Sequence, residues 1–327
     1  MNNLTINWGI IGCGDVTEVK SGPAFNKVPD SKLIAVMRRD AAKAADYAKR
    51  HNVPKWYSNA DELINDAEIN AIYIATPPAF HEEYTIKALL AGKHVYVEKP
   101  VATSVAACLN MITAEAVSNA KVAVAHYRRA LPMFLKIKEL INNNTIGKIK
   151  LIQLSMLQPH QSNIIARTED FWRVDPAIAG AGLFYDLAPH QLDIIKFIFG
   201  DPVSYTGIAV NNAKLYSAED TVIGYMQLED DIAFTGNWCF TVAESARKDE
   251  CVIIGEKGSI SFPFFGNTIQ LINGEGKQDI SFQHPAHIQQ PMIERVVQYF
   301  LGKDENPCTL QEALVSLEVM EKFKQLQ

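Results

Sequence analysis

The chain has 327 residues, a mass of 36.3 kDa and a net charge of −6, with 48% hydrophobic and 21% charged residues. This composition is typical of globular proteins and argues against a disordered, collagen-like or coiled-coil chain. The mild acidic excess, without a basic stripe, indicates that nucleic acid is not the partner. No apolar run approaches the ~18 residues that a membrane span needs.

The chain start and the cysteines bear on the compartment. The first residues show no basic segment followed by an apolar stretch and a cleavage site, and the five cysteines share no metal-ligand spacing. We therefore expect a cytoplasmic protein with reduced thiols and no signal peptide. The length predicts about two domains.

Strand and helix patterns alternate through residues 1–125. The predicted strands are Ile6–Ile11, Lys32–Met37, Ala71–Ala75, His94–Val97 and Lys121–Ala125. One predicted helix begins after Asp40, and three further helices are predicted over Asn59–Asp66, Phe80–Ala91 and Ser104–Ser118. Strands separated by helices are typical of right-handed βαβ units, so residues 1–125 are predicted to form a doubly wound, parallel Rossmann domain.

Residues 126–327 follow a different pattern, in which helices flank consecutive strands. The predicted helices are Leu131–Asn143, Pro189–Phe199 and two near residues 288–301 and 310–325, and strand-like runs occupy Lys150–Leu157 and much of Val203–Phe282. Consecutive strands with short connections indicate a largely antiparallel or mixed sheet. This half is predicted to be an α+β domain.

A glycine pair follows the first strand directly. Gly12 and Gly14 stand where a strand–turn–helix unit brings backbone N–H groups to a pyrophosphate at a helix N-terminus. A third glycine is absent, because Thr17 occupies that place, and Gly22-Pro23 interrupts the expected helix. We therefore predict a phosphate-binding turn followed by a short first helix.

The residue after the second strand selects the nicotinamide cofactor. An acid there binds the adenosine ribose hydroxyls, whereas this chain has Arg38 and Arg39 before Asp40. Guanidinium groups bind phosphate in a bidentate manner. The pair is also compatible with a solvated surface before a helix capped by Asp40, but its position favours NADP(H) over NAD(H).

Further chemistry-capable residues follow two other strands of the first half. Thr76 and Pro77 end one strand and Glu98-Lys99-Pro100 the next, at the sheet edge where ligands of open α/β folds bind. A lysine there can stabilise a developing alkoxide, although a lone strand-end lysine is also compatible with a surface charge.

In the second half a carboxylate and an imidazole stand four residues apart. Pro189 suits the first turn of a helix, which would place Asp186 at or before its N-terminus and His190 close behind. Imidazole exchanges protons near neutral pH, and a nearby carboxylate sets its tautomer. The alternatives are a capped helix with a half-buried histidine, or a metal bound by Asp186, His190 and Asp193, which lacks other ligands at metal spacing.

Four segments together resemble the glucose–fructose oxidoreductase/inositol dehydrogenase family, often called Gfo/Idh/MocA. They are GIIGCGD, ATPPAFHEEYTIKALLAGKHVYVEKP, the R-x-x-P of Arg129–Pro132, and GAGLFYDLAPHQLD. The resemblance covers essentially the whole chain, and its AGKHV-x-x-EKP element is highly specific.

The resemblance implies roles for individual residues. Lys99 would bind the reacting hydroxyl or carbonyl, His190 would exchange its proton, and Asp186 would orient His190. Similar proteins place an aromatic–Arg pair near the substrate or cofactor, which implies that Arg173 lines the substrate site. We add Tyr127 and Tyr185 to the same wall. The two tyrosines are equally compatible with packing, and Arg173 is equally compatible with a surface ion pair. The predicted cofactor contacts are Gly12, Gly14, Asp15, Val16, Arg38, Arg39, Thr76, Pro77, His81, Glu98 and Lys99.

The resulting prediction is hydride transfer between NADP(H), favoured over NAD(H), and a sugar, cyclitol or related cyclic diol or ketone, without a metal. The resemblance also implies that residues 126–327 form the substrate-binding and oligomerisation domain, whose open-faced sheet forms a homodimer or homotetramer. Two alternatives remain: a redox-neutral, NAD-dependent glycosidase of the same fold, and a non-catalytic nucleotide-sensing protein.

Overall fold

A computed structural model describes residues 5–160, 162, 164 and 171–324. The chain divides into two compact units, Met1–Arg128 with Pro285–Leu314, and Arg129–His284 with Val315–Gln327. The segment Pro285–Leu314, which the sequence analysis assigned to the second half, groups with the first unit. One reason is backbone hydrogen bonding, since the Val124 N–H donates to the Cys308 carbonyl at 2.9 Å.

The secondary structure comprises fourteen strands and ten α-helices within the described residues, joined by turns and short 3-10 segments. The strands are β1 (Ile6–Ile11), β2 (Ser31–Met37), β3 (Lys55–Tyr57), β4 (Ala71–Ile74), β5 (His94–Val97), β6 (Val122–Val124), β7 (Ile149–Leu157), β8 (Pro202–Val210), β9 (Thr221–Leu228), β10 (Ala233–Cys239), β11 (Lys248–Gly255), β12 (Gly258–Phe262), β13 (Thr268–Asn273) and β14 (Gly276–Ser281). The helices are α1 (Asp15–Val19), α2 (Ala41–His51), α3 (Ala60–Ile64), α4 (His81–Leu90), α5 (Val105–Ala116), α6 (Pro132–Asn142), α7 (Pro176–Ala179), α8 (Leu183–Phe199), α9 (Gln290–Phe300) and α10 (Leu310–Lys324).

The first unit is built on a six-stranded parallel sheet in the order β3-β2-β1-β4-β5-β6. The order reverses between β1 and β4, and the carboxyl ends of these strands border the crevice where such folds bind ligands. The predicted Rossmann sheet is thus confirmed. The sequence analysis missed β3, because its three residues at the sheet edge give too short a pattern to be recognised.

Aromatic packing stabilises the first unit. Trp8 on β1 lies 4.7 Å from the Phe25 ring and 5.6 Å from the Phe300 ring, measured between centroids, and Tyr73 and Tyr96 pair in register on β4 and β5. Phe300 comes from α9, so the late segment of the chain contributes to this core. Its burial, together with backbone bonding, explains why this segment belongs to the first unit.

The second unit is an eight-stranded sheet in the order β14-β13-β12-β11-β7-β10-β9-β8. Only β7 and β10 are parallel among its neighbouring strands, which confirms the predicted mixed sheet. Burial alternates along β9, as expected for a sheet with one covered face. The covered face packs on α6 and α8.

Two general features follow from the described residues. None of their helices combines the length and the apolar character required to cross a bilayer. The five cysteines form no disulfide, and four of them are buried.

Candidate active site

The glycine turn lies at the carboxyl end of β1. Gly12 has a φ of +92°, and its N–H donates to the Met37 carbonyl at 2.9 Å. A Cβ at this position would lie 2.8 Å from the backbone nitrogen of Thr76. Only glycine therefore fits here, because the backbone is left-handed and the neighbouring strand end is in contact.

Gly14 has a different role in the same turn. Its φ is −139°, and the nearest atom to an added Cβ would be the Gly12 carbonyl oxygen, 3.9 Å away. The fold itself therefore tolerates a side chain at this position. The absence of one leaves the backbone open to close approach by a phosphate, as dinucleotide-binding turns require.

Short α1 follows the turn, and Asp15 and Val16 are its first residues. The hydroxyl of Thr17, at the position of the missing third glycine, donates to the Gly14 carbonyl at 2.8 Å. After α1 the chain enters a 3-10 turn at Gly22–Asn26, which agrees with the predicted short helix. Cys13 within the turn is buried, which raises the pKa of its thiol to about 11 and leaves it protonated at neutral pH.

The two basic residues after β2 flank this turn. Arg38 is half-buried, and its Nη1 lies 3.4 Å from the Cys13 carbonyl oxygen. Arg39 is exposed, with its guanidinium 5.3 Å from the centroid of the Phe80 ring. Asp40 caps α2 by accepting from the Lys43 N–H at 3.1 Å. The segment after β2 thus supplies both the cap of α2 and a basic pair beside the glycine turn.

The end of β4 supplies Thr76, Pro77 and, one turn later, His81. The Thr76 hydroxyl oxygen is buried and has no hydrogen-bond partner among the described residues. His81 is fully buried, and its two ring nitrogens lie 2.8 Å from the Thr76 carbonyl and 3.0 Å from the Pro100 carbonyl. Burial lowers the pKa of His81. We therefore assign His81 to bracing these two strand ends instead of contacting the cofactor directly.

The end of β5 places Glu98 and Lys99 side by side in sequence but in different environments. Glu98 is 6% exposed, and its carboxylate accepts hydrogen bonds from the Tyr73 hydroxyl, the Gln289 amide and the Lys99 N–H. Lys99 is half-buried and follows β5 at the carboxyl edge of the sheet. The structure assigns Glu98 to supporting the strand end that carries Lys99.

These residues fit a nicotinamide dinucleotide. The open backbone at Gly14, the unpartnered Thr76 hydroxyl and the guanidinium of Arg38 beside the turn are donors at the strand ends where a pyrophosphate and a ribose bind in this fold. Gly12, Gly14, Arg38 and Thr76 would hold the group. When bound, it supplies or accepts a hydride.

The glycines make separate predictions. Gly12→Ala should lower the free energy of unfolding by about 1–3 kcal/mol, because it forces a side chain into a left-handed backbone and against Thr76. Gly14→Ala should leave thermal stability unchanged and weaken binding of the nicotinamide dinucleotide by about tenfold or more, roughly 1.4 kcal/mol. Thermal unfolding and titration with NADH and NADPH measure both. Equal thermal stability of the two variants would contradict this division of roles.

The second unit carries Asp186 and His190 on α8. This helix begins at Leu183, six residues before the predicted start, so the placement of Pro189 in the first turn was wrong. Pro189 lies inside the helix, where it removes one backbone hydrogen bond. The helix persists because it is apolar almost all round and buried, and packing outweighs the lost bond.

Asp186 lies in the first turn of α8, and His190 lies one turn later on the same face. The Asp186 carboxylate forms an ion pair with Arg173, whose Nε is 3.3 Å away, and the guanidinium carbon of Arg173 lies 4.4 Å from the centroid of the Trp172 ring. His190 is 5% exposed, with the Phe265 ring edge-on at 6.0 Å. The structure therefore places Arg173 beside Asp186, with His190 one helical turn further along α8, and the assignment of the three residues to a substrate wall stays a prediction.

The two predicted tyrosines are placed differently. Tyr185 is 1% exposed and projects about 140° around α8 from His190, with the Lys324 ammonium 4.6 Å from its ring centroid. Tyr127 is 7% exposed and lies beneath the Arg128 guanidinium in a short 3-10 segment of the first unit. Packing accounts for both side chains, and the structure does not place Tyr185 on the helix face that carries His190.

Asp193, the third residue of the alternative metal site, pairs with Arg129. Its Oδ1 lies 2.7 Å from Arg129 Nη2, and Arg129 Nε donates to the same carboxylate at 3.0 Å and 3.1 Å. Each side chain is 1% exposed. The carboxylate thus serves a buried, bidentate ion pair, which favours a structural role for Arg129 of the R-x-x-P segment over a metal ligand at Asp193.

The sequence analysis missed two residues that bond to Glu98, namely Tyr73 and Gln289. Tyr73 lies within a buried strand, where its phenol could not be distinguished from a core side chain, and Gln289 lies in a segment assigned to the other half of the chain. No local pattern in the sequence could have found Gln289. Its partner Glu98 is 191 residues away.

Comparison with known proteins identifies the family to which this chain belongs. A model of an oxidoreductase family with an NAD-binding Rossmann fold (GFO/IDH/MocA) matches residues 6–126, and a model of the GFO/IDH/MocA C-terminal domain matches residues 134–261. The chain therefore belongs to the GFO/IDH/MocA family of oxidoreductases, and residues 6–126 of its first unit match the NAD-binding Rossmann fold of that family. The resemblance predicted from the sequence is confirmed.

Three similar proteins illustrate the range of the family. Oxidoreductase P35 of Formosa agariphila is 44% identical over 324 residues, covering 97% of this chain and 98% of that protein. The 1,5-anhydro-D-fructose reductase of Ensifer adhaerens is 23% identical over 95% of this chain and 92% of its own length. A levoglucosan dehydrogenase, solved with NADH and levoglucosan, superposes with a TM-score of 0.83 at 20% identity, covering 98% of this chain and 96% of that one.

Proposed function

We propose that this oxidoreductase transfers a hydride between NADP(H), used in preference to NAD(H), and a carbon that bears a hydroxyl or carbonyl in a sugar, cyclitol or related cyclic diol or ketone. The observation that carries the proposal is the common sheet edge of the glycine turn and Lys99, which follow β1 and β5. Ligands of open α/β sheets bind at this edge.

Each catalytic side chain has one task in this proposal. The Lys99 ammonium donates to the reacting oxygen and stabilises the negative charge that develops there. His190 gives or takes the proton of the same hydroxyl group. Asp186 holds His190 in the required orientation, and Arg173 holds Asp186 through the ion pair at 3.3 Å.

The preference for NADP(H) rests on Arg38 and Arg39. No acid follows β2 until Asp40, whose carboxylate is used as the cap of α2. The Arg38 guanidinium beside the turn suits the 2′-phosphate of NADP(H), which an acid would repel.

The substrate class rests on the relatives. One is a 1,5-anhydro-D-fructose reductase, and a protein of the same fold is a levoglucosan dehydrogenase. Arg173, Asp186 and His190 add polar groups suited to a hydroxylated ring. We therefore propose a sugar-like substrate for this chain.

The open face of the second sheet supports the proposed homodimer or homotetramer. Ile208 and Ile223 are register partners on β8 and β9, and with Tyr225 they are between 45% and 57% exposed. Contiguous apolar residues on a sheet face are typical of protein interfaces.

The first experiment is a fluorescence titration of the purified protein with NADPH and with NADH. It is followed by assays of NADPH oxidation with 1,5-anhydro-D-fructose and of NADP⁺ reduction with levoglucosan. Tighter NADPH binding and turnover of either probe support the proposal. Tighter NADH binding, or sugar release from a glycoside without net change in nucleotide, would contradict it and favour the glycosidase alternative. Binding without turnover of any probe would favour a sensing protein.

Arg38→Asp tests the cofactor preference. It should weaken NADPH binding by about tenfold or more while changing NADH binding little, because it replaces a phosphate ligand with a carboxylate. Lys277→Asp, an exposed site on β14, makes the same change of charge in the second unit and should alter neither affinity. An unchanged ratio of the two affinities in Arg38→Asp would refute the proposed role of Arg38.

A further inference from the structure

Gln289 is a buried polar residue that the reaction scheme leaves unused. It precedes α9 in the late segment of the first unit, and it is 0% exposed. A fully buried glutamine needs an explanation, because each buried polar atom without a partner costs free energy.

The backbone of Gln289 is bonded next to the glycine turn. Its N–H donates to the Lys20 carbonyl at 3.1 Å, just beyond α1. Two residues earlier, the His287 ring nitrogen Nδ1 lies 2.7 Å from the Val19 carbonyl oxygen. The segment that carries Gln289 is thus attached to the helix that follows the phosphate-binding turn.

The side chain of Gln289 extends to Glu98, which follows β5. Its Nε2 donates to Glu98 Oε1 at 2.7 Å, and the Tyr73 hydroxyl donates to the same oxygen at 2.5 Å. Burial and the Glu98 charge raise the pKa of the Tyr73 hydroxyl, so it remains a donor. Glu98 Oε2 accepts from the backbone N–H of Lys99 at 3.1 Å.

We propose that Gln289 is a positioning residue for Lys99, which it holds through the Glu98 carboxylate while its backbone is attached to the end of α1. Gln289, Glu98 and Lys99 then form a chain of hydrogen bonds linking the cofactor turn to the catalytic strand end. The inference rests on the proposed function, since it gives Lys99 a place in catalysis.

The bonding of Gln289 favours this role over simple filling of the core. Gln289 Oε1 is buried and has no hydrogen-bond partner within the described part of the chain. An apolar side chain of similar size would avoid that cost. What the amide supplies is a donor to a buried carboxylate, which would otherwise lose one of its three hydrogen bonds.

The test compares two variants with a matched control. Gln289→Met keeps the size and removes the donor, Gln289→Glu retains a donor only while a carboxyl proton is bound, and Gln290→Met makes the first change at the next residue. The readouts are NADPH affinity, thermal stability, and kcat and KM for 1,5-anhydro-D-fructose from about pH 5 to about pH 9.

Gln289→Met should lower kcat by about 10–10²-fold with little change in KM or NADPH affinity, because Lys99 is displaced and binding is retained. Gln289→Glu should approach the wild-type kcat at the acid end and fall progressively behind as pH rises, since two adjacent carboxyls share one proton and then repel each other. Gln290→Met should match the wild type.

Parallel pH profiles of Gln289→Glu and the wild type would overturn the inference, and they would do so even if Gln289→Met failed to fold. An unchanged kcat in a folded Gln289→Met would also overturn it. If Lys99→Ala loses turnover while both Gln289 variants retain it, only this inference fails. If the wild type turns over none of the probes, the proposed function fails and the inference fails with it.

Discussion

Lys99→Ala should lower kcat by about 10²–10³-fold and leave the affinity for NADPH nearly unchanged, which is the largest effect on activity that we expect. In the proposed reaction the ammonium group acts on charge that develops only in the transition state, so its removal should affect the chemical step more than binding. Steady-state kinetics with 1,5-anhydro-D-fructose and an NADPH titration measure the two quantities separately.

Lys93→Ala is the matched control for this prediction. Lys93 precedes the amino end of β5, where its ammonium donates to the Asp66 and Ile69 carbonyls at 2.9 Å and 2.7 Å. Its loss removes the same charge from the opposite end of the same strand. We expect reduced thermal stability but retained kcat in this variant. A kcat near the wild-type value in Lys99→Ala would refute the catalytic role of Lys99.

Asp193→Ala should lower the free energy of unfolding by about 3–5 kcal/mol, which is the largest effect on stability that we expect. Arg129 and Asp193 are each 1% exposed, so the substitution leaves a buried guanidinium without its carboxylate. Chemical denaturation measures the loss.

Two controls distinguish the effect of burial on stability from the effect of losing an ion pair. Lys150 and Glu256 are also 2.7 Å apart but about half-exposed, and Lys150→Ala should cost less than about 1 kcal/mol. The double variant Arg129→Met/Asp193→Leu should be more stable than Asp193→Ala, because apolar side chains leave no buried charge uncompensated. Similar losses for Asp193→Ala and Lys150→Ala would contradict the prediction.

Much of the candidate site could be predicted from local sequence. Gly12, Gly14, Arg38, Thr76 and Lys99 each follow a recognisable strand, and parallel strands bring their carboxyl ends to one edge. Asp186 and His190 are four residues apart, but they share a helix face only because α8 begins at Leu183 and therefore includes both. A helix that began at Pro189 would leave Asp186 outside it.

The start of α8 illustrates where local rules fail. Pro189 predicts a helix start by its own chemistry, yet the helix begins at Leu183 because burial of an apolar segment outweighs one lost hydrogen bond. The position of Tyr185 shows a related limit of local rules. Its chemistry suits a substrate wall, but its direction around the helix was unknown until the helix start was known.

The sequence by itself determined the alternation of strands and helices, the glycine turn, the absence of an acid directly after β2, and the candidate residues for proton exchange. These depend on residues that are adjacent or one helical turn apart, whose relative geometry follows from backbone periodicity. Only the tertiary structure decided that Glu98 is a buried support, that His81 joins two strand ends, and that Gln289 approaches Glu98 from 191 residues away. Such contacts depend on how separate elements pack together, and no local propensity encodes them.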